Sequence, residues 1–217
     1  MKMEIRIPVT LFVLFFACSA FAVAEDWQYW STWSAAHDVS DKAQVSIMAE
    51  GYYRDNMSDD YVYDEYITYS RKVSHGWGWL GQGYFESVQL TDGSWNGTRA
   101  AVAGPFYEAR IPHVGRLNIQ DRLFYRINSP GGWDYQRPRI SLMRDVGPVT
   151  LSLADEMRMD LSGDRADIFY RNRVFAMVSG KVTKSLLLGI GYVCQSDKVG
   201  AGWKSFNALQ TLVTANF

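Results

Sequence analysis

The stretch that most constrains this chain is its last eleven residues, 207–217. Leu209, Thr211, Val213, Ala215 and Phe217 fall on one parity; Ala208, Gln210, Leu212, Thr214 and Asn216 fall on the other. A period of two marks a β-strand, because successive side chains point to opposite sides of it. The strand stops on the aromatic Phe217 itself. A soluble sheet gains nothing from such an end. An outer-membrane barrel does, because it turns apolar residues to lipid and aromatics to the interface. A strand closing on Phe217 also resembles the signal that such barrels present to their assembly machinery.

The front of the chain points the same way. Residues 1–24 read as a secretory signal peptide. Lys2 and Arg6 supply positive charge, diluted by Glu4; residues 7–16 form an apolar core; Ala22-Val23-Ala24 is a small-x-small cleavage site. The apolar run is shorter than the ~20 residues that span a bilayer as a helix, which argues against an uncleaved anchor. Phe15-Phe16-Ala17 before Cys18 is a poor lipid-attachment box. The domain expected to fold is therefore 25–217. It keeps a single cysteine, Cys194, which reads as a small apolar strand residue. The formal net charge of −1 leaves no electrostatic footprint for nucleic acid. The longest later apolar run, 174–194, is cut by Lys181 and Lys184, so transmembrane helices are not expected.

Two-residue alternation recurs along the rest. It predicts strands near 27–37, 44–55, 61–73, 77–91, 98–111, 116–128, 135–145, 149–161, 167–179, 185–197 and 204–217. The expected fold is all-β: a single antiparallel up-and-down transmembrane β-barrel of outer-membrane type, with ten to twelve strands. The connections form two alternating sets. A short set lies around 37–41, 73–76, 112–115, 145–148 and 180–183. A more polar set, rich in Asp, Gly and Trp, lies around 56–60, 92–97, 129–134, 162–166 and 197–203. Outer-membrane barrels have short periplasmic turns and longer outer loops, so the sets are assigned that way. Eleven strands conflict with the even counts of single-chain bacterial barrels. Residues 27–37 therefore read as an extra strand, an N-terminal plug, or half of an unresolved pair.

The faces are clearest in the second half. Asn118, Gln120, Arg122, Phe124 and Arg126 oppose Leu117, Ile119, Leu123 and Tyr125, with Asp121 out of place. Thr150, Ser152, Glu156, Arg158 and Asp160 oppose Val149, Leu151, Leu153, Met157 and Met159. Arg171 and Arg173 oppose Ile168, Tyr170, Val174, Ala176 and Val178. Arg and Glu on strand faces, with lysines mostly in turns, fit an arginine-lined interior and an apolar exterior. In the first half, Pro105 interrupts 98–111 and predicts a bulge, which would account for Arg99 and Arg110 differing in parity.

Several short patterns together resemble a known family. They are Trp27, Trp30 and Trp33, Glu50 with Arg54, Arg122 with Arg126, Arg137-Pro138-Arg139, Ala154-Asp155-Glu156, Asn172-Arg173 and the final Phe217. Across nearly the whole mature chain they look like the bacterial proteins grouped as domain of unknown function 2490. That resemblance implies an outer-membrane β-barrel of undetermined activity and carries no catalytic residues over.

Other patterns weaken on inspection. Gly76-Trp77-Gly78-Trp79-Leu80-Gly81 matches a dinucleotide fingerprint, but that chemistry needs a following helix, and a strand is predicted instead. Asn56-Met57-Ser58 and Asn96-Gly97-Thr98 match glycosylation sequons in predicted outer loops and read as chance. His37, His75 and His113 all fall in the short-turn set, so they read as solvated residues rather than bases or metal ligands. The informative group is the expected interior arginines: Arg54, Arg99, Arg110, Arg122, Arg126, Arg137, Arg139, Arg158, Arg171 and Arg173, with Glu50, Glu86, Glu108 and Glu156 as partners. Either they fill a narrow barrel as a salt-bridged network, or they line a narrow anion-leaning pore. The expectation is a non-enzymatic barrel without cofactor. Its partners would be outer-membrane lipid and lipopolysaccharide, the assembly machinery and small anionic solutes. A lipid A or phospholipid hydrolase is the competing expectation.

Overall fold

The computed structural model describes residues 27–54, 57, 59–128, 131–163, 165 and 167–217. The expected signal peptide, and Asn56 and Ser58 of the first sequon, lie outside the described residues. Eleven strands carry the fold: β1 (Trp27–Ser40), β2 (Ala43–Arg54), β3 (Asp59–Ser74), β4 (Trp77–Gln89), β5 (Trp95–Ile111), β6 (Gly115–Arg126), β7 (Gly132–Val146), β8 (Val149–Asp160), β9 (Phe169–Lys181), β10 (Leu186–Val199) and β11 (Gly202–Asn216).

The strands close into one barrel in which each lies beside its neighbours in sequence. Consecutive strands pair antiparallel. The closing pair does not: β1 runs parallel to β11, with Trp27 opposite Asn207 and Ala36 opposite Asn216. This corrects the expectation of a wholly antiparallel barrel. An odd number of alternating strands leaves the first and last pointing the same way, so they can meet only in parallel. Parallel pairing is slightly weaker per residue, but closure removes both exposed edges. Residues 27–37 are thus neither plug nor orphan.

The expected bulge at Pro105 is also corrected. β5 keeps a single register against both β4 and β6. Gly104 allows this, because a Cβ there would sit 1.7 Å from the Asp121 carbonyl oxygen on β6. Arg99 therefore stays exposed on the outer parity, beside inward, buried Ala100. Register shifts lie elsewhere, including Tyr52/Tyr53 against β3, Phe124/Tyr125 against β7 and Arg158/Met159 against β9. The last of these turns Tyr170 into the barrel, 7% exposed, rather than leaving it outside with Val174 and Val178.

One end of the barrel, here the turn end, carries the connections at 41–42, 75–76, 112–114, 147–148 and 182–185. The opposite, loop end carries those after β2, β4, β6, β8 and β10. The last of the polar set is shorter than expected: β10 and β11 extend as a hairpin to a turn at Gly200-Ala201. The Gly76–Gly81 fingerprint occupies the turn before β4 and the strand itself. Asn96 lies within β5.

Candidate functional site

Parity fixes which side chains meet inside. The inward set includes Trp30 and Thr32 on β1, Asp64 and Tyr66 on β3, Arg122 and Phe124 on β6, Tyr135 and Arg137 on β7, Glu156 and Arg158 on β8, Arg173 and Phe175 on β9, and Val193 and Gln195 on β10, all buried. The remaining strands add Tyr52, Tyr84, Ala100, Val102, Ala208 and Gln210, also buried. Every strand thus contributes a buried inward residue, and all of these sit towards the loop half of the barrel. They form two apolar clusters, one around Tyr66, Tyr84, Phe124 and Tyr135, the other around Trp30, Tyr52, Phe175 and Val193. Ring packing is tight: Phe124 and Tyr135 stack at 4.1 Å, and Trp30 meets Tyr52 edge-on at 4.8 Å.

Glu156 is the charged centre of this girdle. The ladders place it opposite Arg139 on β7 and Arg173 on β9. They also place Arg122 opposite Arg137, a like-charge pair that is unfavourable unless neutralised. Glu156 reaches both: Arg122 Nη2 donates to Oε2 at 2.9 Å, and Arg137 Nε lies 2.7 Å from Oε1. The Arg137 contact is close but not aligned as a hydrogen bond. Arg139 and Arg173 follow at 3.7 and 4.0 Å. Their guanidinium planes rest on rings as well, Arg139 over Phe175 at 4.6 Å and Arg173 over Trp30 at 4.9 Å. Arg158 lies over Tyr135 at 4.8 Å. Cation–π packing of this kind gains strength when desolvated.

The facing wall is acidic. Asp64 on β3 accepts hydrogen bonds from Tyr52 at 3.1 Å and Tyr84 at 2.9 Å. Tyr84 also contacts Glu86 at 2.8 Å, and Tyr52 contacts Glu50 at 3.0 Å. Thr32 donates to Glu50 and in turn accepts from Gln210. The two walls join through Tyr66: Arg137 Nη1 donates to its hydroxyl at 3.2 Å, and that hydroxyl donates on to Asp64 at 3.4 Å. The Arg137–Tyr66 contact links β7 to β3, and Arg173 over Tyr52 at 5.8 Å links β9 to β2. Both cross the lumen. A buried hydrogen-bonded network of this kind rigidifies what it joins.

The remaining named residues sit around this centre. Arg54 pairs with Asp59 at 2.9 Å and Arg126 with Asp134 at 2.9 Å, both at the loop end. Arg171 pairs with Asp197 at 2.5 Å. Arg110 lies at the turn end, outside the girdle, and is exposed. The partner expectation needs correcting: of the four glutamates, Glu156 is the one the arginines share, Glu50 and Glu86 bond to hydroxyls, and Glu108 pairs with Lys72 at 2.8 Å. The aspartates Asp59, Asp64, Asp134 and Asp197, the inward tyrosines and Trp30 were missed by sequence reasoning. Tyr52, Asp64, Tyr66 and Tyr84 share one parity on β2–β4, which was the available signal; the more numerous outward aromatics on the same strands, among them Tyr53, Tyr63 and Trp79, obscured it.

The outer face is the opposite. Ile47, Ile67, Ile119, Leu123, Ile140, Val178, Leu188 and Ile190 are exposed. Aromatics pair across strands at both ends. Tyr29–Tyr53, Tyr63–Trp95 and Tyr125–Trp133 lie near the loop end, with centroids 5.6, 5.4 and 5.4 Å apart. Tyr69–Trp79 and Trp77–Tyr107 lie towards the turn end, at 5.4 and 5.0 Å. Phe217 is exposed at the turn end; its amide donates to the Ala36 carbonyl, and its oxygen meets His37 Nδ1. His75 and His113 sit in turns with φ of 49° and 62°. Among the described residues, no three His, Cys, Asp or Glu side chains are grouped as metal ligands would be.

No protein-family model, curated protein or solved structure matches the chain.

Proposed function

We propose that this chain is a non-enzymatic outer-membrane β-barrel protein whose lumen is held shut by its own side chains. The observation that carries the reading is the inversion of faces: charge and hydrogen bonding lie inside, while the exterior is apolar with paired aromatics at both ends. A soluble barrel would place its polar face in water. The expected signal peptide and the resemblance to the domain of unknown function 2490 family support export to the outer membrane of a Gram-negative-type bacterium. Its partners there would be lipid, lipopolysaccharide and the barrel assembly machinery. Between plug and pore, the buried girdle favours the plug, because every strand lends it a residue sealed from solvent. The non-enzymatic reading is supported by the histidines, which lie at the turn end away from the buried charges.

The test is fractionation, followed by planar-bilayer recording of the refolded chain. The protein is expected with outer membranes, with heat-modifiable gel mobility and no steady conductance. Recovery in the soluble periplasm would end the membrane reading; stable anion-selective channels would end the plug reading.

A further inference from the structure

The girdle fills the loop half of the lumen. A cavity of about 410 Å³ opens at the turn end of the barrel, lined by Lys72, Glu108, Arg110, Arg116, Asn118 and Met143. That volume is within the range of small-molecule sites. Arg110 on β5 and Arg116 on β6 stand directly opposite each other in the ladder, on the inward parity. Like charges so placed repel. Counter-charge is committed elsewhere. Glu108 is engaged by Lys72 at 2.8 Å and by Asn118 at 3.3 Å. Asp145, which also feels the charge of Arg110, is engaged by Arg116 at 3.1 Å and by Thr150 at 2.7 Å. Among the described residues, the Arg110 guanidinium has no ion pair or hydrogen bond of its own. Three cations, Lys72, Arg110 and Arg116, therefore stand near two occupied carboxylates, Glu108 and Asp145.

We propose that this vestibule is a binding site for a small multivalent oxyanion of the phosphate class, gripped between Arg110 and Arg116. Guanidinium forks match phosphate oxygens bidentately, and an anion between them converts a repulsive pair into two charge-assisted contacts. Lys72 adds a point charge at the edge. The site needs only the barrel, not its membrane location, so its fate and that of the membrane reading are separable.

The experiment is calorimetric titration of the refolded full-length chain, in a maltoside detergent at low salt, with pyrophosphate. One-site saturable binding is expected. It should weaken at least tenfold in Arg110→Gln and in Arg116→Gln, and less in Arg110→Lys, which keeps charge without the fork. Arg99→Gln, on the outer face near the loop end, should bind as the parent does. Heat-modifiable mobility checks that each variant is folded. Adding a phosphomonoester lipid to the micelles distinguishes sources: competition assigns the phosphate to a headgroup, lack of it to a dissolved ion, and the oxyanion site stands in both cases. Absence of saturable binding by the parent, or equal binding by parent and Arg110→Gln, overturns the proposal.

Discussion

The two halves of the lumen are built from the same strands on the same parity, yet they behave oppositely. In the loop half, inward positions carry Trp30, Tyr52, Tyr66, Tyr84, Phe124 and Tyr135, and the space between them is closed by Glu156 and its arginines. In the turn half, the next inward positions are Ser46, Thr68, Ser70, Gln82, Ser141 and Ser152, all only half-buried, and the charges beyond them are exposed. Leu80 and Phe106 are the exceptions that pack there. Strand alternation decides which face a residue joins. Side-chain size, and whether the facing wall offers the opposite charge, decide whether the barrel closes. At this strand number either outcome is open, because the interior is wide enough for side chains to fill it or to leave a cavity.

The largest expected effect falls on the closed half. Glu156 is 1% exposed and lies within 4.0 Å of four guanidinium groups. Glu156→Gln keeps its shape and removes the negative charge those groups share. Breaking a buried ion pair from one side costs about 3–5 kcal/mol. The urea midpoint of the refolded variant, followed by tryptophan fluorescence, should fall accordingly, and Arg122→Met in the same chain should recover part of the loss by removing one orphaned cation. An unchanged midpoint in Glu156→Gln would mean that the aromatics alone close the lumen.

The sequence made the barrel legible but not its plug. Alternation located all eleven strands, because each exposes one apolar and one polar face. The inner face of β6, β8 and β9 was readable because polar residues repeat at a spacing of two within each strand, Gln120 and Arg122, Glu156 and Arg158, Arg171 and Arg173, against a mostly apolar opposite parity. On β2–β4 the same rule failed, since aromatics occupy both parities: Tyr63 points out and Tyr66 in, on one strand. Tyr170 was assigned to the wrong side because a register shift against Arg158/Met159 is set by the partner strand, which a local pattern does not contain. Pairings such as Arg171 with Asp197 depend on register between strands, so the aspartate partners were invisible until the ladder was known.

A smaller effect is expected from the outside. Leu151 on β8 and Val174 on β9 face away from the lumen, on the parity opposite Glu156 and Arg173. If that face meets lipid, Leu151→Arg or Val174→Arg should destabilise by about 2–4 kcal/mol near the bilayer midplane. The same substitutions should be tolerated far better in detergent, where the guanidinium can reach water. Equal tolerance in vesicles and detergent would argue that this face is not in hydrocarbon, while leaving the girdle argument intact.

The smallest effect belongs to the open half and completes the comparison. Glu108 carries the same charge as Glu156 and also faces a cation, Lys72 at 2.8 Å, but the two side chains are 43% and 58% exposed. Water screens such a pair, and exposed ion pairs contribute only about 0–1 kcal/mol. Glu108→Gln should therefore leave the urea midpoint within that margin, where Glu156→Gln moves it several-fold further. Its electrostatic consequence should be larger than its structural one. Releasing Lys72 raises the positive potential of the vestibule, so pyrophosphate should bind more tightly to Glu108→Gln than to the parent, and added salt should narrow the difference. A large stability loss in Glu108→Gln would mean that the turn half is as tightly coupled as the loop half, and that the contrast between them is one of exposure alone.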